Sequence, residues 1–335
     1  FEKNRIYGGF MGGVFCHGGG GIGAFTSDFT NRDSAITRFT LNDNDIFGNK
    51  GVGINIGDDG VPEIRHNRIY GGNEYTGFGV QNAAIYVAGQ KAQGTITDNE
   101  IYENKDGIVL REGACPHIER NIIRDQRRRG VMVLARGQGV LLDNTISNSG
   151  HYNIEVRGEK PKMLSPDKAE KELEKKKKLY ASMGLLVALP KDGVTIAGLI
   201  TDESGKTSIS LRRNRLTGGG TGSVHMADWS IGFLKENSIT ECSGSALIVE
   251  NGADPEVTDN TIAECASHGV RIAAGGKGRF ANNKVSMNAA AGFCVGADAT
   301  SDIRANEICE NDEARALAEA GAAARIYGNT MHTNG

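Results

Sequence analysis

Charged residues of this chain recur in one column. Immediately before a recurring asparagine stand Asp43, His66, Asp98, Arg120, Asp143, Arg213, Glu236 and Asp259. Carboxylates in such a column can act as general acids and bases, or can hold Ca²⁺ with an Arg or Lys as the base. That chemistry needs carboxylates gathered at neighbouring positions. Here acidic and basic residues alternate along much of the column, which suits charge pairing between adjacent strands. The column is therefore read as structural, and no catalytic, cofactor-binding or metal-binding residue is assigned; Asp98 and Asp143 are the members that an enzyme reading would need. Asp58, Asp59 and Asp254 lie near Pro62 and Pro255, where turn chemistry explains them. The seven histidines fall in different registers and make no metal set, and His66 and His117 read as surface residues.

Two arginine clusters are the densest basic spots, Arg127, Arg128 and Arg129, then Arg212, Arg213 and Arg215, and the run Lys175, Lys176, Lys177 and Lys178 joins them. Solvated surface is the plain reading of each. The sharper one is charge-assisted hydrogen bonding to an acidic peptide or phosphate, which makes these the candidate partner-binding residues. The six cysteines lack CxxC or CxxxC metal spacing. Cys242 and Cys265 each stand five residues after an asparagine, so they are expected to stack as packed thiols, although their spacing would also permit a disulfide.

The elements that position these residues follow from the asparagines. Asn4, Asn44, Asn67, Asn99, Asn121, Asn144, Asn214, Asn237, Asn260, Asn283, Asn306 and Asn329 share the frame Asn-x-apolar, and the last six are spaced by 23 residues. Three residues before stands an apolar residue (Leu41, Ile64, Ile96, Ile118, Leu141, Leu211), and two residues after stands another (Ile46, Ile69, Ile101, Ile123, Ile146, Leu216). About ten residues further comes a short alternating run, often after Gly, such as Ile54-x-Ile56, Ile108-x-Leu110, Val131-x-Val133 and Ile154-x-Val156. Period-two runs this short are strands with one buried face. A fixed period with short strands and no helix predicts an all-β fold, a right-handed parallel β-helix in which each repeat is one coil. Roughly thirteen coils at the 4.8 Å strand spacing would make a rod of about 60 Å. Stacked in register, Asn44, Asn67, Asn99, Asn121, Asn144, Asn214, Asn237, Asn260, Asn283 and Asn306 form an inward ladder at a bend, since Asn tolerates unusual backbone angles.

The period breaks three times. Asn4 to Asn44 spans 40 residues and includes Gly18 to Gly21, and Asn67 to Asn99 spans 32 with the excess around Asn73 to Asn82. Both read as loops, and no Lys-Ser/Thr follows the glycines to make a phosphate loop. Asn144 to Asn214 spans 70 residues. Inside it Ser165, Pro166 and Asp167 start a predicted helix over Lys168–Met183, and Leu185–Leu189 with Val194–Ile200 read as a coil lacking the asparagine. The expected organisation is one continuous domain: N-terminal coils over 1–156, a charged helical insertion over 157–193 and C-terminal coils over 194–335. Both ends fall inside the repeat, so a fragment of a longer chain is expected.

A net charge of −3 gives no nucleic-acid footprint, and no apolar stretch is long enough to span a membrane. The strings Pro62-Glu-Ile-Arg-His-Asn-Arg-Ile-Tyr-Gly-Gly72 and Gly107-Ile-Val-Leu-Arg-Glu-Gly-Ala-Cys-Pro-His-Ile-Glu-Arg-Asn-Ile-Ile123 resemble the β-helix of F-box-only ubiquitin-ligase receptors. More broadly they resemble the carbohydrate-binding and sugar-hydrolase repeat. The first resemblance implies a surface that recognises protein substrates. The repeat is shared with pectate lyases, polygalacturonases and alginate epimerases, so sugar chemistry stays open beside it. The expectation is a non-catalytic, cytoplasmic scaffold rod that binds protein within a larger assembly, without cofactor; the alternatives are a ligase receptor and a polysaccharide lyase, hydrolase or epimerase.

Overall fold

The computed structural model describes residues 1–17, 21–22, 38–72, 82–160 and 206–332. Each coil contributes three strands to three long sheets, which we number by their order within one coil, starting from the strand before the asparagine. Sheet I takes the strand before the asparagine (Thr40–Asn42 is the first) and has eleven strands. Sheet II takes the strand after it, Arg5–Tyr7 onward, and has twelve. Sheet III takes the alternating run, such as Val52–Ile56 and Tyr152–Arg157, and also has twelve. Apart from Gly21–Ile22, which pairs antiparallel with Gly12–His17 at the edge of sheet III, neighbouring strands are parallel and in register, so Ile96 lies on Ile118 and Ile101 on Ile123. No α-helix occurs among the described residues.

Strand alternation sends every second side chain inward. Leu41, Ile64, Ile96, Ile118, Leu141 and Leu211 are fully buried, as are Ile101, Ile123, Ile146 and Leu216, and together they fill one continuous core. The glycine that precedes many sheet III runs has a steric cause. A Cβ on Gly130 would lie 2.6 Å from both Asn153 O and the Ile146 Cγ2 methyl, so adjacent coils approach there only without a side chain.

The asparagine ladder is as expected. Asn260 donates its main-chain N–H and its Nδ2 to Asn283 Oδ1, at 3.0 and 2.9 Å, and Asn237 donates to Asn260 in the same way. Asn260 Nδ2 also reaches Leu234 O at 2.8 Å and Thr258 O at 2.9 Å, which leaves no buried amide group unpaired. The bend, however, is not made by the asparagine. The residue before it takes the left-handed conformation: φ is 54° at Asp43, 55° at His66, 57° at Asp98, 52° at Arg120 and 54° at Asp143. The asparagine instead satisfies the groups that this bend exposes.

The long break closes directly. Asn144 donates to Asn214 Oδ1 at 3.0 Å, and Val140–Leu142, Thr145–Ser147 and Tyr152–Arg157 pair with Ser208–Arg212, Arg215–Thr217 and Gly222–Ala227. These described strands are direct neighbours, and the coil expected over Leu185–Leu189 and Val194–Ile200 lies outside the described residues. The helix expected over Lys168–Met183 lies outside the described residues, as do nearly all of both expected loops. Cys242 and Cys265 are buried free thiols on adjacent coils, with the Cys242 N–H directed at Cys265 Sγ at 3.4 Å.

Candidate active site

The outer face of sheet III changes character along the rod. Through the N-terminal coils it is apolar apart from Asn55, which lies between Phe15 and Tyr86: Val52, Ala83, Tyr86 and Val109 form a second buried cluster, with Phe15, Ala88, Met132 and Leu134 against it. In the next coils the same columns carry charge. Pairing puts Arg129 beside Asp106, Glu155 beside Met132, and His225 beside Glu155. Glu155 stands between the core residues Ile154 and Val156, and His225 between Val224 and Met226, so alternation turns both outward.

The side chains there interlock. Arg129 donates its main-chain N–H to Asp106 Oδ1 at 3.2 Å, and its guanidinium lies 3.5 Å from the same oxygen. Its Nε donates to Glu155 Oε2. The other Glu155 oxygen accepts from Arg157 Nε at 2.8 Å. His225 bridges two carboxylates: Nδ1 is 3.4 Å from Glu155 Oε1, a close approach without hydrogen-bond alignment, and Nε2 is 3.1 Å from Glu250 Oε1. The Tyr152 ring lies against His225, with centroids 4.7 Å apart and a 31° tilt.

This cluster has a buried floor and an accessible rim. The side chains of Glu155 and His225 are 2% and 4% exposed, whereas those of Arg157 and Glu250 are 47% and 33% exposed. Burial works against ionised Glu155, but the close approach of His225, the hydrogen bond from Arg157 and the charge of Arg129 outweigh it and hold the carboxyl down to about 2. Burial pushes the Asp106 carboxyl up, against the pull of Arg129 and Arg128. Burial, with the charges of Glu155 and Glu250, also pushes the Tyr152 phenol up, so it keeps its proton near neutral pH. Asp106 and Glu155 are both engaged by Arg129, so they do not form the open carboxylate cage that Ca²⁺ requires. A carboxylate, a guanidinium and a tyrosine around a histidine suit proton transfer on an anionic ligand.

The residues singled out from the sequence are distributed differently. Arg129 belongs to the cluster. Arg127 is tied to main-chain carbonyls, Glu103 O at 3.0 Å and Gly72 O at 2.7 Å, and Arg128 is half-buried at the same turn. Arg212, Arg213 and Arg215 sit on sheet I, on the bend and on sheet II, so they make no single patch. Arg213 holds Asp143 with two hydrogen bonds of 2.9 and 3.0 Å, and Arg120 holds Asp98 with two of 2.9 Å. These two pairs are the cross-coil pairing expected, whereas Asp259, next to the like-charged Glu236 in the column, is met at 3.7 Å by Lys235 from the preceding strand. Lys175, Lys176, Lys177 and Lys178 lie outside the described residues.

Sequence reading missed Asp106, Tyr152, Glu155, Arg157, His225 and Glu250. A signal was there: Glu155 and His225 each stand eleven residues after a ladder asparagine, Asn144 and Asn214. Extending the asparagine register across the 70-residue break would have made them neighbours.

Residues 29–165 and 195–335 match the profile of the right handed beta helix region. The chain belongs to the right-handed β-helix family. No curated protein sequence matches this β-helix, so the resemblance to F-box-only receptors has no sequence match behind it. Among solved structures, the β-helix is similar to a point mutant of the periplasmic alginate epimerase AlgG, with 11% identity, a TM-score of 0.54, and coverage of 88% of this chain and 69% of that one. It is also similar to an alginate lyase from a Paenibacillus species, with 14% identity, a TM-score of 0.50, and coverage of 86% and 92%. At these identities the likeness is one of fold. The expectation of a non-catalytic rod that binds protein and disfavours carbohydrate is corrected here. Its structural neighbours act on a polysaccharide, and the arginines that were to dock a protein are dispersed or engaged within the chain.

Proposed function

We propose that this β-helix is an enzyme acting on an acidic polysaccharide, by removing the proton from the carbon next to a uronate carboxylate. The observation that carries this reading is the set Tyr152, Arg157, His225 and Glu250, converging over a buried Glu155–Arg129 pair on adjacent coils. That proton is weakly acidic until the carboxylate charge is neutralised. Arg157, half-exposed at the rim, supplies the guanidinium for that task. Glu250, hydrogen-bonded to His225, takes the proton. Tyr152, held protonated, supplies one in return. Returned to the opposite face of the same carbon, that proton completes an epimerisation; delivered to the departing glycosidic oxygen, it completes a β-elimination. Similarity to an alginate epimerase and an alginate lyase supports the same pair of outcomes.

The test is incubation with alginate, pectate and a neutral glucan in D₂O, followed by NMR. Deuterium at the uronate carbon or an unsaturated chain end is expected with at least one uronan, and neither with the glucan. Arg157→Ala should lower kcat as well as raise KM, because its guanidinium meets the carboxylate onto which charge builds as the proton leaves. Absence of exchange and of cleavage in every uronan would overturn the reading.

A further inference from the structure

Away from this face, near the C-terminal end of sheet II, three different ligand types converge. The strand Glu307–Cys309 pairs with Thr330–His332 so that Cys309 lies opposite His332, with Glu307 two residues before Cys309 on the same side. Between them Ile308 is fully buried, so Glu307 and Cys309 share the outer face. Cys309 Sγ lies 3.8 Å from Glu307 Oε1, His332 Nε2 lies 3.8 Å from the same oxygen, and the three ligand atoms all fall within 4.8 Å of one another.

From this geometry we propose that Glu307, Cys309 and His332 bind a zinc-type divalent cation that bridges the two strands. Bonds of about 2.0–2.3 Å to S, N and O place tetrahedral ligand atoms about 3.3–3.8 Å apart. The carboxylate already meets that spacing to both partners, so only Cys309 and His332 must close, from within 4.8 Å by about 1.5 Å at most. A thiolate, an imidazole and a carboxylate form a set that Zn²⁺ or Co²⁺ prefers over the oxygen-seeking Ca²⁺ and Mg²⁺. Three protein ligands leave a fourth position for water or an anion. The ion would tie strand Thr330–His332 to its neighbour by side chains as well as by the main-chain ladder. Lys284, on the adjoining coil, is 3.5 Å from Glu307 Oε1 and half-exposed, so it is a displaceable competitor for that carboxylate.

Titration of the purified chain with Co²⁺ tests this through the thiolate-to-metal charge-transfer band, with zinc affinity measured by competition against a chelating dye. One equivalent of Co²⁺ should develop the band in the wild type and in Cys115→Ser, an exposed thiol elsewhere. Cys309→Ser should abolish it. His332→Ala should weaken zinc binding by about tenfold or more, and Lys284→Ala should leave it unchanged or tighten it. A band that survives Cys309→Ser, or zinc affinity indifferent to both Cys309→Ser and His332→Ala, would overturn the assignment. A folded Cys309→Ser protein, judged by an unaltered apo unfolding midpoint, separates loss of the ligand from loss of the fold.

Discussion

Two charged columns run along this rod, and they differ in what water does to them. On the bend beside the asparagine ladder, Asp98–Arg120 and Asp143–Arg213 are exposed, bidentate and self-sufficient. On sheet III, Glu155, Arg129, Asp106 and His225 sit almost dry. Exposed pairs are screened, and they add little beyond fixing two side chains. A buried set must satisfy every charge internally, so each member constrains the others. Similar residue types therefore give a structural seam on one face and a chemically poised cluster on the other.

The comparison breaks most visibly at Glu155. Replacing it with Leu leaves Arg129 buried without its main counter-ion, and should destabilise the rod by about 3–5 kcal/mol in denaturant unfolding. An unchanged midpoint would mean that the cluster is solvated after all. Asn260→Leu tests burial without charge. It strips the acceptor from Asn237 and the donor from Leu234 O, at a cost of about 3 kcal/mol.

A change of pH sharpens the contrast further. Glu155 is held well below its ordinary value of 4.5, down to about 2. A depressed carboxyl contributes stability that is complete above the ordinary value and is lost as pH falls through the folded one. Asp106, pushed up by burial, works in the opposite sense and gains stability as it protonates. Unfolding midpoints at about pH 5 and about pH 3 should therefore fall more for the wild type than for Glu155→Gln. Equal falls would remove Glu155 as the source. Smallest of all, Asp98→Asn and Asp143→Asn should leave the thermal midpoint unmoved at moderate salt, since their arginines remain hydrated.

Most of the fold was legible because a coil has a fixed perimeter: its 23-residue period brings Leu41, Ile64 and their successors onto one line. The left-handed bend was not legible at its true position. Asp, His, Arg and Glu all occupy it, and the recurring chemistry next door belongs to the asparagine that serves it. The candidate site was hidden for a different reason. Glu155 and His225 are adjacent in space but 70 residues apart in sequence. Within its own coil Glu155 is only the outward residue of an Ile-x-Val run, and such positions carry Met132, Ile248 or Cys294 elsewhere. Arg129 was picked out for a partner-binding role, and burial beside Asp106 and Glu155 gives it a structural one.

The central claim is that chemistry lies on sheet III and not on the exposed charge column. Removal of the uronate proton, read as deuterium exchange at that carbon or as unsaturated chain ends on whichever uronan the wild type processes, separates the two. Tyr152→Phe should lose this signal by about a hundredfold or more, with an unchanged unfolding midpoint, whereas Asp98→Asn and Asp143→Asn should retain it. The full signal in Tyr152→Phe together with its loss in Asp98→Asn or Asp143→Asn would contradict the account.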